Sequence, residues 1–292
     1  MKPGRLAWIL AMLLWLGVTG AGCGGGVGQG SSAVLADTSF LADIVRNVAG
    51  ERLTVASLVP EGADPHSFEP TPQDAKRVAE CRAIVINAAG LVPAIDDLIA
   101  GAGADDLLVI DASSGLVGLP DDPHFWLDPV GVIRYVENIG AGLTSIDPAG
   151  AEVYSANAET YTATLRDLDA WIAAQVEAIP PDHRLLVTNH ESFGYFAARY
   201  GFEIVGTIVP TTSGMSSPSA QRLAALVRDI RATGAPAIFL ETGSQPDLAR
   251  QIASEAGVRL VTDLYTNTLG EEASTYVEMM RWNVSRIVEA LR

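Results

Sequence analysis

Three of the four histidines in this chain stand at the ends of segments, where side chains far apart in sequence can meet. His66 lies in Asp64-Pro65-His66-Ser67-Phe68-Glu69-Pro70, and His124 lies in Asp122-Pro123-His124-Phe125-Trp126-Leu127-Asp128-Pro129. His190 follows a strand-like run and opens an amphipathic helical pattern. The flanking prolines rule out a continuing helix or sheet ladder around His66 and His124, so both sit in loops. Imidazole is the commonest metal ligand, and loops at strand ends are where ligands converge. The expectation is one metal site built from His66, His124 and His190. Three histidines fit a structural site with a fourth ligand or an open site that keeps a water, and sequence spacing does not separate the two. His183, between Asp182 and Arg184, reads as an exposed turn residue.

Other chemistries find no support. His190-Glu191 resembles the start of a zinc-protease helix, but the position that needs a second histidine is Gly194. Glu191 then reads as an acid in the first turn of a helix. There is no phosphate loop, no serine elbow and no dinucleotide-binding glycine pattern. A formal net charge of −16 argues against a nucleic-acid partner.

The elements that must position the histidines follow from periodicity. Lys2 and Arg5 precede an apolar run from Leu6 to Val18 and small residues up to Cys23, which reads as an export signal over residues 1–22. A membrane-crossing helix needs roughly 20 apolar residues, and this run is shorter. The segment resembles a bacterial lipoprotein signal, with Cys23 receiving the lipid, although Gly20 stands where leucine is usual. Residues 23–32 are glycine-rich and read as a flexible tether. Cys81 is then left without a partner and is expected as a small buried residue.

From Ala33 the chain alternates strand and helix patterns: strands at 33–36, 53–59, 83–87 and 107–110, helices at 39–49 and 92–100, and a helix opened by Thr71-Pro72-Gln73-Asp74. Asp128-Pro129 reads as a cap and first residue of a helix over 130–143. Residues 151–179 contain no breaker and form one long helix stopped by Pro180-Pro181. The rhythm then repeats, with strands at 184–187, 203–208, 237–240 and 258–261. Helices are expected near 192–200, from a cap at Ser217-Pro218-Ser219 to 232, at 246–256 and at 273–291. The fold class is α/β, with two lobes, each a mainly parallel sheet flanked by helices, joined by one long rigid connecting helix. The boundaries are 33–149 for the first lobe, 150–180 for the connector and 181–292 for the second lobe.

The two Asp-Pro-His segments, with Glu69-Pro70, Trp126 and Asp128-Pro129, and His190 leading into Phe193-Gly194-Tyr195-Phe196, resemble the zinc- and manganese-binding solute-binding proteins of bacterial ABC importers, cluster A-I. The likeness covers nearly the whole exported chain, through Tyr276 to Arg292. It implies no enzymatic turnover. Instead it implies an extracytoplasmic receptor that captures Zn²⁺ between the lobes and delivers it to an ABC permease, anchored to the membrane through lipid on Cys23 or free in the periplasm. His66 and His124 would come from the first lobe and His190 from the second. A histidine at the third position marks the zinc members, and imidazole suits Zn²⁺ where hard oxygen ligands suit Mn²⁺, which ranks Mn²⁺ second. A monomer is the simplest state for such a receptor, and a metallochaperone is a further candidate partner.

The family's fourth ligand is an aspartate in the loop before the last helix, and Asn267 occupies that position here. Asn267, water, or a nearby carboxylate such as Asp263 or Glu271 remain candidates for the fourth donor. Glu241, at a strand end, is a candidate to hydrogen-bond a ligand histidine. The competing functions are a manganese receptor of the same family, a zinc-dependent hydrolase using an open metal position, and an adhesion protein on the same fold. The chain has no histidine-rich loop.

Overall fold

The computed structural model describes residues 33–104, 106–120, 122–209, 218–244 and 246–292. The expected signal over 1–22, Cys23, the tether over 23–32 and the Ser217 part of a helix cap lie outside the described residues.

The first sheet is wholly parallel, with order β2-β1-β3-β4, and consists of β1 (Val34–Ala36), β2 (Val55–Ser57), β3 (Ala83–Ile86) and β4 (Leu108–Asp111). Helices α1 (Ser39–Ala49), α2 (Pro72–Glu80) and α3 (Ile95–Gly101) connect its strands. The second sheet, β5 (Leu185–Thr188), β6 (Glu203–Thr207), β7 (Ala237–Glu241) and β8 (Arg259–Leu264), is also parallel and has the corresponding order β6-β5-β7-β8. Its helices are α6 (Gly194–Tyr200), α7 (Ala220–Thr233) and α8 (Pro246–Ala256). Between the sheets come α4 (Pro129–Ile146) and the 26-residue α5 (Ala151–Val176), and α9 (Tyr276–Leu291) closes the chain. In each sheet strand order reverses beside the first strand, the position at which parallel sheets open a crevice at their carboxyl ends.

Local sequence sets the helix ends. Thr71 and Asp74 form a reciprocal capping box with Pro72 at the first helical position of α2. Asp128 accepts the Val130 N–H at 2.9 Å and so caps α4. Thr275 and Glu278 form a second capping box on α9. The long helix stops at Val176 rather than Ile179: Ala178 and Ile179 donate to carbonyls three residues back, tightening the turn ahead of Pro180.

The second sheet divides the interior. Leu186, Ala237 and Phe239 face a large core that also holds the first sheet and α1, α4, α5 and α9. The alternate residues Leu185, Val187, Ile238 and Leu240 face a smaller core against α7 and α8. This is the period-two alternation of a strand buried on both faces. Helix α9, last in the chain, packs on α1 and α5 as well as on β8. Arg199 of α6 reaches Asp169 of α5 at 2.6 Å and Asp128 at 3.2 Å, tying three elements by charge. His183 departs from the exposed reading, because it is half-buried and its Nδ1 lies 3.0 Å from the Leu291 carbonyl in the last turn of α9. Cys81 is buried and free.

Candidate metal centre

The repeated Asp-Pro-His tripeptide makes the same local turn twice. Asp64 Oδ1 accepts the His66 N–H at 3.1 Å, and Asp122 Oδ1 accepts the His124 N–H at 3.0 Å. An aspartate bonding the backbone two residues on is an Asx turn, and the intervening proline presets its backbone. Asp122 does more: the same oxygen lies 2.8 Å from His124 Nδ1. The loop carrying His124 is held from behind by Asn87, whose Nδ2 donates to the Pro123 carbonyl at 3.0 Å. Asn87 is fixed in turn through its N–H on buried Asp37 Oδ2 at 2.6 Å and by the Tyr135 hydroxyl. His190 leaves the end of β5, and its Nδ1 lies 2.5 Å from Oε1 of Glu241, which ends β7.

These loops bring three imidazoles together. His124 Nε2 lies 3.3 Å from His66 Nε2 and 3.2 Å from His190 Nε2, and one nitrogen from each ring falls within 4.8 Å of the others. Two nitrogens bound to one tetrahedral ion at about 2.05 Å would be about 3.3 Å apart. All three rings are at most 4 % exposed. Carboxylates accept but do not donate, so Asp122 and Glu241 place the proton on Nδ1 of His124 and His190 and leave each Nε2 lone pair facing its neighbours. The arrangement is therefore a preformed cluster of nitrogen donors.

Burial holds two of these rings neutral. Loss of water drives the His124 pKa far below its ordinary value, and His190 and His66 push it further the same way. His66 falls to about 4, chiefly through burial. For His190 burial also opposes the charge, but the combined pull of Glu241, Asp64 and Asp122 outweighs it, and its pKa rises. Burial lifts Asp122 to about 6 against the bond from the His124 amide.

Asn267 lies in the loop after β8, lining the same cavity as His66 and His190, and its Oδ1 is buried without a hydrogen-bond partner among the described residues. The loop is clasped by the first half of the chain: Trp126 Nε1 donates to the Thr266 carbonyl at 2.7 Å, Gly62 N–H to Thr268 Oγ1 at 2.8 Å, and Leu269 N–H to Ser39 Oγ at 2.9 Å. Tyr276 closes the clasp by donating its hydroxyl to the Trp126 carbonyl at 2.6 Å. The two carboxylates considered as substitutes for Asn267 are elsewhere. Asp263 pairs with Arg286 of α9 at 3.0 Å and does not line the cavity, and Glu271 is exposed. Glu191 is also exposed and precedes α6 by three residues, so it is not a first-turn acid. The ring contact of Asp122 and the clasp of Trp126 are absent from the sequence reading. No sequence signal separates the first, since Asp64 stands equally two residues before His66 and bonds only its backbone.

Residues 34–290 match the protein family described as zinc-uptake complex component A, periplasmic (ZnuA). The chain is 33% identical over 294 residues to the manganese-binding lipoprotein MntA of Halalkalibacterium halodurans, covering 96% of this chain and 97% of that protein. Among solved structures, the periplasmic zinc-binding protein TroA of Treponema pallidum superposes with a TM-score of 0.83 at 26% identity, over 90% of this chain and 99% of that one. The manganese-bound periplasmic metal-binding protein of Candidatus Liberibacter asiaticus superposes with a TM-score of 0.80 at 27% identity, over 89% and 99%.

Proposed function

This chain belongs to the ZnuA family of metal-binding solute-binding proteins of ABC importers, and on that premise we propose that it captures a zinc ion on His66, His124 and His190 and delivers it to an ABC permease. The observation that carries the reading is the meeting of three buried Nε2 atoms at separations suited to one ion. The family consists of binding proteins rather than enzymes, which removes the hydrolase alternative. Asn267 is the fourth residue facing the ion in this reading. Extracytoplasmic anchoring through Cys23 is supported by the lipoprotein name of the Halalkalibacterium relative. Among the described residues no helix is long and apolar enough to cross a membrane.

The choice of metal rests on the donor set. Three imidazoles and a neutral amide suit Zn²⁺, whereas Mn²⁺ favours carboxylate oxygens. The manganese reading has its own support in the relative named manganese-binding and in the manganese-bound neighbour structure. Mn²⁺ accordingly stands level with Zn²⁺ and no longer behind it. Competitive titration of the metal-stripped chain lacking residues 1–23, with Zn²⁺ and Mn²⁺ in parallel and His190→Ala alongside, tests both points. Tight one-to-one zinc binding that the variant loses is the expected result. Tighter manganese binding reverses the choice of metal, and retention of either ion undiminished in the variant removes His190 from the site.

A further inference from the structure

Helix α6 begins four residues after His190 and lies against the loop that carries His124. The His190 carbonyl accepts the Thr188 hydroxyl at 2.9 Å and the Ser192 N–H at 3.0 Å, which fixes the link between this histidine and the helix. Phe193 and Phe196 then anchor the helix in the large core. Its approach to the His124 loop is close, since a Cβ on Gly194 would stand 2.7 Å from Leu119 Cδ1.

The Tyr195 hydroxyl makes two bonds from this helix to the loop. It accepts the Leu119 N–H at 2.8 Å and donates to the Asp122 carbonyl at 2.8 Å. Asp122 is the residue whose side chain orients the His124 ring. The Tyr195 ring lies 4.8 Å from that of Phe125, which follows His124 directly. One helical turn on, Arg199 reaches Asp128 beyond the loop at 3.2 Å. Burial pushes the Tyr195 pKa up to about 12, so its hydroxyl keeps the donated proton at neutral pH. Tyr195 does not line the cavity that holds His66 and His190, and it acts on the site only through the loop.

We infer that Tyr195 is a positioning residue for metal binding: its hydroxyl couples the segment that carries His190 to the loop that carries His124, and so sets the spacing of their two nitrogens. The inference rests on the metal-receptor reading above and adds to it a determinant of how long the ion is held. His124 follows the first sheet and His190 the second, so an ion leaves when these ligands part. The two bonds of Tyr195 oppose that separation.

Co²⁺ serves as the probe, because its visible absorption bands report the geometry of the atoms bound to it. Tyr195→Phe keeps the ring beside Phe125 and loses both bonds to the loop. Tyr200→Phe is the control, since it loses a hydroxyl of the same helix that is bonded at 2.8 Å to Asp169 of α5. The expected result in Tyr195→Phe is a change of the bands and release of Co²⁺ to excess chelator about tenfold faster, the lower end of the cost of losing a partner behind a metal ligand. Tyr200→Phe should keep the wild-type bands and release rate while its thermal midpoint falls. Wild-type bands and release in Tyr195→Phe overturn the positioning role and leave the metal receptor intact. Equal changes in the two variants also overturn it, because they reduce Tyr195 to support of the helix. Failure of Co²⁺ to develop protein-bound bands in the wild-type protein defeats the metal-receptor reading, and the inference with it.

Discussion

Asp122 grips His124 twice with one oxygen, taking the backbone N–H at 3.0 Å and the ring Nδ1 at 2.8 Å. The loop and the imidazole are thereby oriented by the same atom. Gly194 makes room for this carboxylate, since a Cβ there would stand 2.7 Å from Asp122 Oδ2.

Asp122→Ala removes both bonds and lets the ring rotate and change tautomer. Metal affinity should fall by about 10- to 100-fold, the usual cost of losing a partner that orients a ligand histidine. Asp64 holds only the backbone of His66, so Asp64→Ala should cost less. Competitive titration of the two variants side by side reads the difference, and equal losses would deny the ring contact its role.

The pH dependence of binding should be governed by His190. A metal ion must displace any proton from its ligands, so affinity falls as pH drops through the His190 pKa, which lies above the ordinary imidazole value. Glu241→Gln keeps a hydrogen-bond acceptor but removes the charge that raises this pKa. The acid limb of the affinity–pH curve should therefore move to lower pH in the variant. A limb that stays in place would mean that the carboxylate charge does not control His190.

The metal-free protein should lose stability in acid. His66 titrates at about 4 when folded, against 6.5 unfolded, and His124 is depressed as well. Groups of this kind bind fewer protons in the folded state. Their contribution is fully present above about pH 6.5 and is lost progressively as pH falls toward 4. Thermal unfolding across this window should show a falling midpoint, with a shallower fall in His66→Ala.

Trp126→Phe keeps a smaller aromatic ring beside Phe40, which the indole now stacks on at 4.3 Å, and deletes the donor to the Thr266 carbonyl. A buried acceptor left without its partner costs about 1–3 kcal/mol. Denaturant unfolding should register that loss, and an unchanged midpoint would show that the clasp contributes nothing to stability.

The elements were legible where local chemistry decides them. Helix α1 has the expected bounds, Ser39–Ala49, stopped by Gly50 at positive φ, and α2 and α4 begin at visible caps. His66 and His124 stood out through the prolines beside them, and His190 through its place after a strand-like run. What sequence did not disclose depends on contacts across the chain. The Trp126 bond to Thr266 spans 140 residues, and the Arg286 pair that occupies Asp263 arises only once α9 docks beside β8. The His183 contact with Leu291 likewise spans 108 residues and has no local signature.

The division of the interior into a large and a small core has a thermodynamic consequence. Helices α7 and α8 rest on the smaller core alone, so their amides should exchange with deuterium through partial openings that leave α1, α4, α5 and α9 protected. His190 and Glu241 stand at the ends of strands that border both cores. An ion shared among His66, His124 and His190 would penalise those partial openings. Metal loading should therefore slow exchange in α7 and α8, which lie apart from the ion, and merge two cooperative units into one.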